Sequence, residues 1–91
     1  MVQAQTQLNW EKTARQKYET MIVKIPLFHR AIAKKVVDKK AVMNAQERGS
    51  PLIEESDIVR AFFSEVPFTF YSLMIRLLDD VGFDYKKYEP K

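Results

Sequence analysis

The sequence predicts an all-α protein, a compact bundle of about four helices around a long central second helix. Apolar residues recur three and four positions apart in four segments, which is typical of helices that bury one face. A proline stands at the start of two of these segments, and a glycine follows the end of the same two. This is the usual arrangement of helix start and stop signals. With 91 residues, of which 46% are hydrophobic, the chain can build one domain with its own core.

The first predicted helix spans residues 10–23, with Asn9 as its N-cap. It ends before Pro26, because a residue that precedes a proline is disfavoured in the helical conformation. One narrow apolar stripe follows the helix and is formed by Trp10, Ala14, Tyr18, Met21 and Ile22. We expect residues 1–8 to be a flexible polar leader, residues 9–82 to be a single helical domain, and residues 83–91 to be an aromatic-rich C-terminal tail.

The second predicted helix spans residues 27–48, between Pro26 and Gly49. It has two apolar faces. One carries large side chains, namely Phe28, Ile32, Val36 and Met43, and the other carries smaller ones, namely Ala33, Val37, Ala41 and Ala45. A helix that is apolar on two sides is expected to be packed on both. We therefore predict that this helix is the central element, with neighbours on both flanks.

An extended connector over residues 50–53 leads to a third helix at 55–64 and a fourth at 67–81, which Gly82 stops. The last third of the chain is rich in aromatic residues. Most of them should be core, but so small a domain has little surface with which to cover them all. Uncovered aromatic side chains would form a partner or self-association surface, and Phe83 and Tyr85 in the tail are the candidates.

The composition argues against several classes of function. The chain has no cysteine and one histidine, so we expect no disulfide, no metal site and no cofactor. No apolar run approaches the roughly 18–20 residues of a membrane span, and the N-terminus lacks the pattern of a signal peptide. We therefore expect no membrane association and a cytoplasmic location. His29 has no nucleophile or orienting carboxylate in a recognisable motif, so no catalytic residue is predicted.

The net charge of +3 is mild, and the lysines of the second helix scatter around its circumference. Lys34 can pair with Asp38 four residues later. Nucleic-acid binding is therefore expected to be weak at most, through Lys34, Lys35, Lys39 and Lys40.

The turn between the first two helices is predicted to be a structural joint, formed by Trp10, Pro26 and Phe28 and closed at the other end of the second helix by Gly49. Phe28 should enter the core beside Trp10 or Tyr18. Arg30 then points away from that contact, because it lies about 160° further round the helix. It either caps a C-terminal carbonyl, pairs with an aspartate (Asp57, Asp79 or Asp80), or recognises an anionic group of a partner or ligand. With Lys34, it is a candidate partner-binding residue.

The segment from Lys24 to Arg30, which reads Lys-Ile-Pro-Leu-Phe-His-Arg, resembles part of a known domain, as do Lys34-Lys35, Glu47-Arg48-Gly49, Ile53 and Ile58. The similar domain is the C-terminal appendage of the B subunit of light-independent protochlorophyllide reductase, which also occurs alone in short bacterial proteins. The residues that fit its pattern are Trp10, Ile25, Pro26, Phe28, Arg30, Gly49 and Ile53. The spacing from Trp10 to Pro26 is about one helical turn longer than in that pattern, Leu27 replaces an aromatic residue, and Glu54 replaces a threonine. The reductase's catalytic region has no counterpart here, so the resemblance implies a non-catalytic accessory module that contacts a protein partner, such as a tetrapyrrole enzyme, or another copy of itself.

A second resemblance leads to a different partner. The long helix, the Arg48-Gly49 turn, and Asp57-Ile58 followed by Ala61 look like the second half of a histone fold. Both resemblances imply the same local helix–strand–helix geometry. The histone-like alternative implies a weak DNA-binding protein, although histone pairs normally present more positive charge than this chain carries.

Overall fold

A computed structural model of the chain describes residues 9–89 and contains four α-helices: α1 (Lys12–Lys24), α2 (Leu27–Glu47), α3 (Glu55–Glu65) and α4 (Tyr71–Asp80). Short 3₁₀ helices at Phe68–Phe70 and Tyr85–Tyr88 precede and follow α4. Two strands of two residues, β1 (Asn9–Trp10) and β2 (Leu52–Ile53), pair in parallel. The all-α prediction is confirmed, with α2 as the longest helix. The predicted leader, residues 1–8, lies outside the described residues.

The start of α1 differs from the prediction. Asn9 and Trp10 are not helical, because they pair with Leu52 and Ile53. Glu11 is the N-cap instead, and its carboxylate accepts hydrogen bonds from the backbone N–H groups of Thr13 and Ala14 at 3.2 and 2.7 Å. The strand pair closes a long loop of the chain, a tertiary effect that a local capping preference does not reveal.

The prediction that α2 is packed on both apolar faces is wrong. Its small-residue face is fully buried at Val37, Ala41 and Ala45, whereas Phe28 and Ile32 on the opposite face are exposed. Small side chains let the backbones of α2 and α3 approach closely, and α3 is the main neighbour of α2. Phe28 lies nine residues before Val37, which at 100° per residue places it on the opposite side of the helix. Phe28 therefore does not enter the core beside Trp10 or Tyr18.

The C-terminal end of α2 is firmly connected to α3. Gly49 has a positive φ of 71°, and the N–H groups of Gly49 and Ser50 return to the carbonyls of Gln46 and Ala45. This is a Schellman stop, as the position of the glycine predicts. Arg48 then reaches Asp57 on α3, donating from Nε at 3.0 Å and from Nη2 at 2.6 Å.

Asp57 is the only charged or polar residue that is buried within the described part of the chain. Besides the two bonds from Arg48, its carboxylate accepts one from the backbone N–H of Glu54 at 2.9 Å. That bond belongs to a capping box at the start of α3. The predicted helix–strand–helix geometry is present here, and a buried charge that is both paired and hydrogen-bonded holds it together.

A second Schellman stop ends α4 and explains why Phe83 is not available to a partner. Gly82 has a φ of 89°, and the N–H groups of Gly82 and Phe83 bond to the carbonyls of Asp79 and Leu78. In this motif the residue after the glycine packs back on the helix it terminates. Phe83 is accordingly 3% exposed, so its candidacy as a partner-binding residue is wrong.

Within residues 9–89, no single helix is both long enough and apolar enough to cross a membrane. The segments Glu55–Glu65 and Phe68–Asp80, which meet at a bend of 118°, reach that threshold together by length and composition alone.

Candidate interaction site

An open apolar groove with a volume of about 490 Å³ lies between the α1–α2 turn and the α3–α4 turn. One wall is formed by the end of α1 and the first half of α2, and the other by the end of α3, the following 3₁₀ helix and α4. The residues on the first wall are Met21, Ile25, Pro26, Phe28, His29, Ile32, Ala33 and Val36. Those on the second are Phe62, Glu65, Val66, Pro67, Phe70, Leu73, Met74 and Leu77.

Two similar proline turns create the groove. Ile25 and Val66 each cap the end of a helix in an extended conformation, with ψ values of 140° and 131°. Each is followed by a proline, Pro26 or Pro67, and a residue before proline is forced into this region. The chain therefore turns sharply at two neighbouring points. The turn residues line the groove, and the segments that follow them form part of its walls.

Large apolar side chains remain exposed along both walls. On the α2 side the exposed fractions are 79% for Phe28 and 67% for Ile32, and on the α4 side they are 48% for Phe70 and 42% for Leu73. Single exposed apolar residues are common on protein surfaces, but a contiguous set that borders a concave groove is typical of a binding surface.

His29 lies at one end of the groove, between aromatic rings. Its ring centroid is 4.2 Å from that of Phe28 and 6.2 Å from that of Phe70. The ring of His29 therefore lies between residues of both walls at this end of the groove. His29 and Glu65 are the ionisable residues among those that line the groove, so the surface offered to a partner is almost entirely apolar.

Charged residues of opposite sign lie near the two walls of the groove. Lys35 and Lys39 lie within about 20° of Phe28 around α2, at 100° per residue, and both are exposed. On the other wall, Glu65 lines the groove, and exposed Asp80 lies about 60° from Leu77 around α4. None of these four residues forms an ion pair with another residue in the range 9–89. Their charges are therefore available to a partner.

Arg30 does not point into the groove with a free guanidinium. It donates from Nη2 to the carbonyls of Val23 and Ile25, at 2.9 and 3.1 Å, and from Nε to Ile25 at 3.3 Å. These carbonyls belong to the C-terminal end of α1, which lacks internal partners for them. Of the three predicted roles for Arg30, the geometry matches the carbonyl cap. Asp57, one of the aspartates predicted to pair with Arg30, pairs with Arg48 instead.

The other predicted partner-binding residues lie apart from the groove. The predicted ion pair of Lys34 with Asp38 is confirmed at 2.8 Å, and the Lys34 ammonium lies 6.0 Å from the centroid of the Tyr18 ring. Tyr85 is partly buried and packs against the core. Of the residues predicted to form the structural joint, Pro26 and Phe28 line the groove, whereas Trp10 stacks on Tyr18 at 5.5 Å and Gly49 lies at the opposite end of α2.

The lysines of α2 do not form one phosphate-binding face. Relative to Phe28, the α2 residues that line the groove span about 0–140° round the helix. Lys34 lies on the other side at about 240°, whereas Lys39 and Lys40, at about 20° and 120°, fall within this arc and Lys35 lies about 20° outside it. Among residues 9–89, no group of three or more His, Asp or Glu side chains is placed to hold a metal ion. A second, shallower pocket of about 390 Å³ lies near the C-terminus and is lined by Arg60, Phe63, Ser64, Lys87, Tyr88 and Glu89.

Sequence reasoning missed the groove because it assigned the Phe28 face to the core. A local signal was nevertheless present. Both prolines at helix starts are followed within three residues by aromatic side chains, in the segments Pro-Leu-Phe-His and Pro-Phe-Thr-Phe. Such residues occupy the first turn after a sharp bend, where less of the fold is available to cover them.

Comparison of the chain with protein-family models, with curated proteins and with solved structures gave no match.

Proposed function

We propose that this protein is a non-catalytic binding module that acts through protein–protein contacts, with the apolar groove as its contact surface. The observation that supports this proposal is the groove itself, bordered by four large apolar side chains that are 42–79% exposed. Exposing these side chains to water is unfavourable by roughly 25 cal/mol per Å² of apolar area. A partner that covers them recovers this free energy.

The resemblance to the appended domain of protochlorophyllide reductase supports the same class of function. A module of that kind contributes contacts and not chemistry, and a tetrapyrrole enzyme is then one partner to test. We also propose a cytoplasmic location, in keeping with the absence of cysteine from the sequence. The tetrapyrrole-enzyme partner and the cytoplasmic location are proposed independently of the groove.

Site-specific photo-crosslinking tests the contact surface. A photoreactive phenylalanine analogue replaces Phe28 or Phe70, and the protein is irradiated in the cells that produce it. Gln16, which is exposed on α1, is the matched control position. We expect a discrete protein adduct from positions 28 and 70 and none from position 16. Equal labelling at all three positions, or no adduct at any, contradicts the proposal.

The histone-like alternative predicts DNA binding through the lysines of α2. Its support is that Lys35 and Lys39 are exposed and have no ion-pair partner in the described part of the chain. Titration of a labelled duplex at physiological salt decides between the alternatives. We expect only weak binding with a shallow salt dependence, because few phosphates would be neutralised. A submicromolar dissociation constant, lost when Lys35 and Lys39 are changed to Gln, would place DNA binding first.

A further inference from the structure

We infer that the groove is covered by a second copy of this chain, in a two-fold dimer that lays α2 of each protomer along α4 of its partner. This inference rests on the proposed function, because it names the partner of the surface proposed above. A two-fold interface brings together identical patches, so the patch must be complementary to itself. Both the shape and the charge of this groove meet that requirement.

The shape is complementary because each chain carries a ridge as well as a groove. Phe28 and Ile32 stand out from α2, and they are the most exposed of the large hydrophobic residues that border the groove. Between α2 and α4 the surface is concave and apolar. When α2 of one protomer lies along α4 of the other, the protruding side chains of each enter the groove of its partner.

The charges favour a dimer with α2 against α4 over a dimer with α2 against α2. In each copy, Lys35 and Lys39 lie on the Phe28 side of α2. Glu65 lines the other wall of the groove, and Asp80 is the last residue of α4. Laying α2 along α4 brings the lysines of each copy to the carboxylates of the other, twice per dimer. A dimer with α2 against α2 would instead place lysines beside lysines, which is unfavourable. Arg76 does not disturb the preferred pairing, because it lies about 100° from Leu77 around α4, further from the groove than Asp80.

The available area suits a weak dimer. Phe28, Ile32, Phe70 and Leu73 together expose roughly 400 Å² of apolar surface, about half of the ~800 Å² per partner in a standard interface. Apolar atoms contribute a little more than half of an ordinary interface. The charged residues beside the groove can supply the remaining interface area. An interface of this size is compatible with a dissociation constant on the order of micromolar.

Sedimentation equilibrium of the full chain, up to about 300 μM, tests the inference. We expect a monomer–dimer equilibrium that shifts to weaker association by about tenfold or more in F28S/I32S. Two charge variants, K35E/K39E and E65K/D80K, should each weaken self-association, and an equimolar mixture of the two should form a heterodimer again. The matched control is K86E/K87E, which changes net charge as much as K35E/K39E does but on exposed residues of the C-terminal 3₁₀ helix. It should dimerise like the unmodified chain. Circular dichroism melts establish that each variant is folded.

Each result has a defined meaning. A monomer at every concentration overturns the inference, as does a dimer that F28S/I32S does not weaken. A groove-dependent dimer in which the charge variants do not restore each other overturns the α2–α4 arrangement. The mass of the photo-adduct at position 28 separates this inference from the proposed function. An adduct of two copies of the 10.7 kDa chain supports both, whereas an adduct with a different protein overturns the dimer and leaves the binding module in place. No adduct contradicts both.

Discussion

The two ends of α2 differ in whether their side chains are packed against other parts of the chain or exposed to water. At the C-terminal end, Ala41 and Ala45 are fully buried against the core, and Arg48 is held by the buried carboxylate of Asp57. At the N-terminal end, Phe28 and Ile32 project into water. The same helix is therefore a core element over one half and an open surface over the other.

Because of this difference, the C-terminal end of α2 contributes to stability, whereas its N-terminal end is available for recognition. Side chains that are already packed and hydrogen-bonded can contribute to folding but have little left to offer a partner. Exposed apolar side chains contribute little to folding, and burying them favours association. We therefore expect substitutions in the two halves to have distinct effects on stability and on association.

The largest difference is expected between two phenylalanines. Phe62 on α3 is 1% exposed, and its ring lies edge-on to Tyr18 at 5.8 Å. Phe62→Ala should lower the free energy of unfolding by about 3–5 kcal/mol, because it leaves a cavity in the core. Phe28→Ala should lower it by less than about 0.5 kcal/mol, as expected for an exposed site. Urea unfolding followed by circular dichroism measures both values, and a cost above about 2 kcal/mol for Phe28→Ala would show that this residue belongs to the core.

A smaller effect is expected from the two arginines with carboxylate partners. Arg48→Ala leaves the buried carboxylate of Asp57 without its charged partner and should cost about 2–3 kcal/mol. This is less than for a fully buried pair, because the Arg48 side chain is 35% exposed. Arg15→Ala removes a pair with Glu19 in which both side chains are more than half exposed, so it should cost at most about 0.5 kcal/mol. Equal losses in urea unfolding would show that the pair of Arg48 with buried Asp57 contributes no more stability than an exposed pair.

Much of the fold follows from local signals. Gly49 and Gly82 mark helix stops because only glycine readily adopts the positive φ of the Schellman motif. Pro26 marks a helix boundary by excluding its neighbour from the helical region. These constraints act within a few residues, so they can be read without knowledge of the tertiary structure. They place most boundaries of the four helices correctly.

The failed predictions for α2 have a common cause, which is the choice between its two apolar faces. Two apolar stripes on α2 have similar hydrophobicity, and periodicity does not say which one is buried. The small-residue face is chosen because it permits close approach of α3, a property of the pair of helices and not of either sequence alone. The exposed Phe28 face, the groove beside it and the partner of Arg48 all depend on that choice.

A smaller loss of stability than for Arg48→Ala is expected at Tyr18, which joins α1 to the middle of α2. Its hydroxyl donates to Asp38 Oδ1 at 2.5 Å. Burial raises the pKa of the Tyr18 hydroxyl above its ordinary value of 10.0, and the hydrogen bond to Asp38 raises it further. At neutral pH, Tyr18→Phe should cost about 1 kcal/mol for the lost hydrogen bond. Asp38 is not left unpaired, because Lys34 still contacts it.

The pH dependence of this cost has a definite sign. In the unfolded chain Tyr18 ionises near pH 10, whereas in the folded chain it stays neutral, so the unfolded state binds fewer protons above that pH. The stability that Tyr18 contributes is therefore complete below pH 10 and declines as the pH rises further. Tyr18→Phe removes this linkage, so the difference in unfolding free energy between the two proteins should narrow above pH 10 and then reverse. Urea unfolding at a series of pH values measures this difference, and comparing the two proteins cancels the titration of lysines common to both. A difference that stays constant through pH 10 would show that Tyr18 ionises equally well in the folded chain, and that the middle of α2 is as open to water as its N-terminal end.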